Sequence, residues 1–368
     1  MSKLVGLAYD ENLINICADS EAALNWLTEF FEGSFALSSS GIGPTVRFRI
    51  DPERHASVVR DLARVRCDQV DCFTLDGEFT HAFSHAQGPT SYLLRDCRFD
   101  VVYCVSGPSS TVEVVADADH FQGRTAFMRV VREIVTSRLL QQNKLPVHGA
   151  CVKLQDSGVL VVGEKEAGKT SLLLHLLQSE EVQFVTNDRA FVGEDQNKRY
   201  KVMGMPTFVK VRAGSLSLFP TLEHKLSASN FSREFSVAES RSRQRSSTDI
   251  GLPPSVTPIQ LAHLVERSPC RETPLGTIVF PEVRPDLPGV ERTVVDPAVA
   301  AERLLRSGLL LPSLPITPSI FGSVIDSKYE IGQDELYRLC LRLTESVQSV
   351  VLQYGKKAFL DNRIVSML

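Results

Sequence analysis

The chain has 368 residues, 43% hydrophobic and 23% charged, with a formal net charge of -4. That composition is globular, and its slight acidity gives no ground to expect nucleic acid or an anionic membrane as partner. No apolar run reaches spanning length and the first ten residues, MSKLVGLAYD, lack a signal-peptide core, so a cytoplasmic protein of two domains is expected.

Residues 1–120 read as an independent α/β domain without a recognisable catalytic signature. Glu21–Phe31 (EAALNWLTEFF) spaces Ala, Leu, Trp and Phe as an amphipathic helix does. Thr45–Ile50 (TVRFRI) alternates apolar and polar residues like a half-buried strand, and Asp51-Pro52 reads as a turn or helix start. Leu93–Leu94, Phe99–Val105 and Thr111–Val115 are further strands by composition. This domain is expected to bind a substrate, a partner or another copy of the chain, and its residues do not choose among them. The eight cysteines are scattered without a C-x-x-C pair and read as small buried hydrophobes rather than disulfide partners. His81 and His85, four apart, would share a helical face near Cys67 and Cys72, but no acid between them completes a zinc motif.

From Gly123 the pattern changes. Phe127, Val130, Val131, Ile134, Val135 and Leu139 recur at intervals of three and four, with Arg and Glu on the other face, which predicts a helix ending near Asn143. A strand pair follows, led by His148-Gly149-Ala150-Cys151-Val152. Its second member, Val159–Val162, runs into Gly163-Glu164-Lys165-Glu166-Ala167-Gly168-Lys169-Thr170, which fits the P-loop template G-x-x-x-x-G-K-[ST]. Ser171 then opens a run of Leu and His without a helix breaker. Strand, loop and helix in that order let successive backbone N–H groups curl round a polyphosphate at a helix N-terminus. On this reading residues 163–171 bind the nucleotide, Lys169 bridges its β- and γ-phosphates, and the Thr170 hydroxyl ligates Mg²⁺.

Over residues 145–195 the chain resembles HPr kinase/phosphorylase and its relatives, which share a nucleotide-binding fold with phosphoenolpyruvate carboxykinase. The resemblance rests on His148-Gly149, the loop at 163–170, a helix to about Gln178, and a strand ending in Phe184-Val185-Thr186-Asn187-Asp188. It continues more weakly to about residue 310 through Met203-Gly204-Met205-Pro206 and Leu275–Pro281, and does not extend to the first 120 residues. It implies an α/β fold: a P-loop kinase domain of the HPr kinase/phosphoenolpyruvate carboxykinase type over residues 121–368, using ATP and Mg²⁺, behind the N-terminal α/β domain. It implies Asp188 as Mg²⁺ ligand or proton acceptor. His148 is the other candidate base, a residue type that titrates near neutral pH. Two positions depart from the family. Asn187 stands where the family has its first, proton-transferring acid, and an amide accepts no proton at neutral pH. Lys201 or a neighbour replaces a metal-binding glutamate. The signature loop of true HPr kinase/phosphorylases is not evident, so HPr is not the expected substrate.

Lys198–Val211 reads as strand, Gly-Met-Pro turn and strand, followed by Arg212, a solvated residue or a phosphate contact. Residues 225–256 are polar, Ser-rich and locally basic. They suit a mobile surface insertion, or an active-site flap in which Arg241, Arg243 or Arg245 meets the transferring phosphoryl group. Thr257-Pro258 and Asp296-Pro297 each start a helix, Asp334–Leu343 is amphipathic, and Thr277–Phe280 and Val347–Tyr354 read as strands. The expected function is an ATP-dependent kinase moving a γ-phosphoryl group to a hydroxyl: a serine or threonine of a peptide or protein, or a small compound such as an amino acid. The catalytic set is Asp188, His148 and Lys169, and the metal ligands are Thr170 and Asp188. The alternative is a nucleotide-binding regulator or ATPase without small-molecule phosphotransfer.

Overall fold

The computed structural model describes residues 3–71, 73, 81–88, 90–211, 213–228, 255–310, 314–355, 357–358 and 363–368. The fold is mixed α/β in two compact units, Met1–Asn143 with Leu311–Gly332, and Lys144–Leu310 with Gln333–Leu368.

The first unit is built on nine strands: β1 (Val5–Tyr9), β2 (Asn12–Ala18), β3 (Ala36–Ser38), β4 (Thr45–Ile50), β5 (Asp68–Asp71), β6 (His81–Gly88), β7 (Ser91–Asp96), β8 (Val101–Ser106) and β9 (Thr111–Ala116). They form one sheet in the order β3-β1-β2-β4-β9-β8-β7-β6-β5. Parallel pairing of β2 with β4 and of β4 with β9 requires crossovers, and helices α1 (Glu21–Phe31) and α2 (Pro52–Leu62) supply them. Both start at side-chain caps: Ser20 accepts from Ala23 N–H, and Asp51 from Arg54 N–H with Pro52 behind it. Val58 and Leu62 of α2 pack on Val102 and Val115 of the sheet.

Helix α3 (Phe121–Gln141) belongs to this unit, so the domain boundary expected at residue 120 moves to 143. Its apolar residues cover β2, β4 and β9, with Phe127 stacked on Phe48 at 5.7 Å between ring centroids. The returning segment Ile320–Ile325 also packs on α3, and Phe321 meets Tyr103 and Phe73. The solvent-facing polar side expected of this helix is therefore corrected: Arg132 and Glu133 are buried too. The pattern of an amphipathic helix shows that a face is covered, but not that the other stays wet.

His81 and His85 lie on strand β6, not on a helix, and Cys72 falls outside the described residues. Among the described residues no group of three or more His, Cys, Asp or Glu is placed to hold a metal by itself. Of the cysteines described, Cys17, Cys151 and Cys340 are buried as expected, whereas Cys97 is exposed.

Asp96 at the end of β7 is fully buried. Its Oδ1 accepts from Arg98 and Phe99 N–H and its Oδ2 from the Tyr103 hydroxyl. Burial outweighs these bonds and raises the carboxyl above its ordinary value. A raised folded-state value means extra native-state protons, so this group's contribution falls as pH rises from about 4 through that value. Asp96→Asn keeps both backbone bonds and donates to the Tyr103 oxygen. It is expected to flatten that part of the profile without loss of stability, as read from thermal melts across pH.

The second unit contains β10 (Leu145–Leu154), β11 (Ser157–Val162), β12 (Val182–Thr186), β13 (Arg189–Glu194), β14 (Tyr200–Met205), β15 (Val209–Lys210), β16 (Ser255–Val256), β17 (Glu272–Val283), β18 (Val290–Val294) and β19 (Gln348–Tyr354). Its main sheet runs β11-β10-β13-β14-β17-β19-β18, with β12 also on β10 and β11 also on β17. β11, β17 and β19 are parallel. Such strands are covered on both faces, which is why Val159–Val162 of β11 reads as a continuous apolar run. Helix α4 (Lys169–Leu176) lays Leu172, Leu173 and Leu176 on the core formed by Val159, Val161, Val279 and Val350. The helices begun by Thr257-Pro258 and Asp296-Pro297 form as the sequence predicts, the first with a full capping box between Thr257 and Gln260. Of the polar insertion, residues 225–228 end the helix Pro220–Ala228, and β16 pairs with β15. Residues 229–254, including Arg241, Arg243 and Arg245, and also Arg212, lie outside the described residues. No helix among the described residues is long and apolar enough to cross a membrane.

Candidate functional site

Strand β10 organises the site because β13 and then β12 run along one edge of it while β11 joins the other edge from Gly149 on. Leu145–His148 pair with β13, and Gly149–Leu154 pair with β11. At that junction stands His148-Gly149. A Cβ at Gly149 would lie 2.7 Å from the Val161 carbonyl oxygen, so only glycine lets β10 sit this close to the strand that feeds the loop. On the other side, β12 ends at Thr186 and β13 begins at Arg189, leaving Asn187-Asp188 as a two-residue corner. The corner is tied down by Thr186 Oγ1 donating to the Arg189 carbonyl at 2.7 Å and by Gly149 N–H donating to the Asp188 carbonyl at 2.9 Å.

This topology brings His148 and Asp188 together across β10 and the corner. His148 Nε2 lies 3.1 Å from Asp188 Oδ1, and both side chains are only partly covered, at 37% and 41% exposure. Arg189 Nε is 3.9 Å from the other carboxylate oxygen. Burial alone would raise the Asp188 carboxyl. The bond and charge of His148, with Arg189 and Lys169, overcome it and hold the group below the ordinary carboxylate range.

The loop after β11 turns through Gly163–Gly168 into α4. Glu164, Lys165 and Glu166 are exposed, whereas Ala167, Gly168, Lys169, Thr170 and Ser171 are half-buried at the start of α4. The Lys169 ammonium bends back over the loop and donates to the carbonyls of Gly163 at 2.7 Å and Glu164 at 3.0 Å. Burial lowers its pKa from the usual lysine value, partly opposed by the charge of Asp188, which places the two groups within electrostatic reach. A half-buried ammonium bonded to neutral carbonyls is poised for an anion.

Gly168 precedes α4 with φ +95°, and a Cβ there would sit 2.6 Å from the hydroxyl oxygen of the buried Tyr354. Gly168→Ala is expected to cost about 2 kcal/mol and to lower the melting temperature by about 4–8 °C. Adding Tyr354→Phe should relieve the contact but not the backbone strain, so the double variant recovers only part of the loss in a thermal melt.

No protein-family model and no curated protein matches the chain. What this site can do is therefore decided by its own atoms. The structure pairs Asp188 with His148, leaves Lys169 linked to Asp188 by charge alone, and sets Thr170 on the first turn of α4. Sequence reading missed Arg189, although it follows directly after Asp188. It also missed two hydroxyls on the chain after β14. Thr207 Oγ1 donates to Asn187 Oδ1 at 3.4 Å, and Ser215 Oγ lies 3.1 Å from Ser171 Oγ. Isolated Ser and Thr in a connecting segment carry no local signal, so nothing in the sequence marks them. A cavity of 510 Å³ lined by Leu154, Gly158, Thr277 and Leu368 lies at the opposite end of β11 from Gly163, and shares none of these residues.

Proposed function

We propose that this chain is an ATP-dependent kinase with a P-loop nucleotide-binding domain of the HPr kinase/phosphoenolpyruvate carboxykinase type. It transfers a γ-phosphoryl group to a hydroxyl acceptor. The observation that supports the reading is the Lys169 ammonium folded over the Gly163–Gly168 loop, with the charge of the His148-paired Asp188 acting on it. The loop supplies backbone N–H groups and the N-terminus of α4 for a polyphosphate, and Lys169 leaves the loop carbonyls for the phosphate oxygens. The donor set suits Mg²⁺, since Thr170 and Asp188 offer hard oxygens and the bound phosphates would complete the shell. The metal would supply charge neutralisation at the phosphoryl group. Asp188 takes the proton from the acceptor hydroxyl, while His148 holds its carboxylate in place and Arg189 flanks the other oxygen.

The second reading, a nucleotide-binding regulator or ATPase, is favoured by Asn187 and by the depressed pKa of Asp188, which makes it a weak base. Incubation with γ-labelled ATP, Mg²⁺ and a panel of peptides and hydroxy amino acids separates the two. Label on an acceptor supports the kinase, while free phosphate alone supports the regulator. Calorimetry showing neither ATP nor GTP binding in the presence of Mg²⁺ would remove both.

A further inference from the structure

Asn187 stands in the corner between β12 and β13, and the structure shows what holds its amide. An asparagine side chain ends in one acceptor oxygen and one nitrogen with two donors. Here the oxygen is taken: the hydroxyl of Thr207, a residue only 7% exposed, donates to Asn187 Oδ1. The amide nitrogen is left without a protein acceptor among the described residues, on a side chain that remains half-exposed. The segment bearing Thr207 is itself fixed to the loop helix further along, where Ser215 meets Ser171, so its position is set at two points of the same site. Next to the amide, the Asp188 carboxylate has Arg189 Nε 3.9 Å away and is held down first by His148.

We propose that Thr207 is a positioning residue that orients Asn187 so that its amide nitrogen donates to the terminal phosphate of a bound nucleoside triphosphate. This rests on the P-loop reading above. Asn187 then discriminates triphosphate from diphosphate, and the corner needs no second proton acceptor.

The test is isothermal calorimetry of the full chain with Mg·ATP and with Mg·ADP, read as the ratio of the two affinities. Loss of one neutral hydrogen bond predicts that Thr207→Val lowers the ATP preference by about three- to tenfold, with Thr207→Ser restoring it. Asn187→Ala, which removes a donor to a charged oxygen, is expected to lower it by about tenfold or more. ADP affinity should stay near the wild-type value in all three, which a general folding defect would not allow. If the wild-type chain binds both nucleotides equally, or if the ratio is unchanged in Thr207→Val and Asn187→Ala, the inference is overturned and nucleotide binding stands. A wild-type chain that binds neither nucleotide takes the P-loop reading and this inference down together.

Discussion

Lys169→Ala is expected to reduce phosphoryl transfer by about 10²–10³-fold or more and to weaken nucleotide binding, because a preorganised donor in a partly dry site contributes on that scale. The ammonium is already partly desolvated and held over the loop by two of its carbonyls. Lys169→Arg should not restore transfer. A planar guanidinium does not fit a place where one compact ammonium is clasped between the carbonyls of Gly163 and Glu164. Labelled-ATP transfer and calorimetry read the two effects separately. Wild-type transfer by the alanine variant would show that this lysine has no part in phosphate recognition.

Asp188→Asn should lower transfer by about 10²–10⁴-fold while leaving most nucleotide affinity, since the change removes a proton acceptor and keeps the shape of the corner. His148→Ala acts differently. Loss of the 3.1 Å partner removes the main influence holding the carboxyl down, so the Asp188 pKa rises. Transfer that depends on the ionised carboxylate then begins to fail at higher pH on the acid side, while the rate well above that limb is less affected. A pH–rate profile of both variants checks this. Full activity in Asp188→Asn excludes the residue from the chemistry, and an unmoved acid limb in His148→Ala excludes the histidine as its electrostatic support.

Legibility followed the range of the interactions involved. Helix α1 was readable to the residue because the spacing of its Ala, Leu, Trp and Phe is a local signal. Strand β4 was readable because its alternation reports one covered face, with Val46 and Phe48 buried and Arg47 half-exposed. The histidines of β6 were misplaced because two residues four apart suit either a helix or a strand, and only pairing with β5 and β7 chose the strand. The boundary at residue 120 failed for a related reason. The apolar stripe of α3 announces that it will be covered, without saying that the sheet of the first unit and Phe321, far along the chain, would cover it.

By itself the sequence determined the strand, glycine loop and helix at 159–176, since neighbouring residues settle that geometry and glycine alone tolerates φ +95° beneath Tyr354. It also named Asp188 and His148 as separate candidates. Only the tertiary structure decided that they face one another, because their meeting depends on β12 and β13 pairing in turn along one edge of β10 and on the two-residue corner between them. The same holds for Thr207 against Asn187. A hydrogen bond between residues in different segments leaves no periodicity behind, and appears only when the connections carrying them are brought side by side.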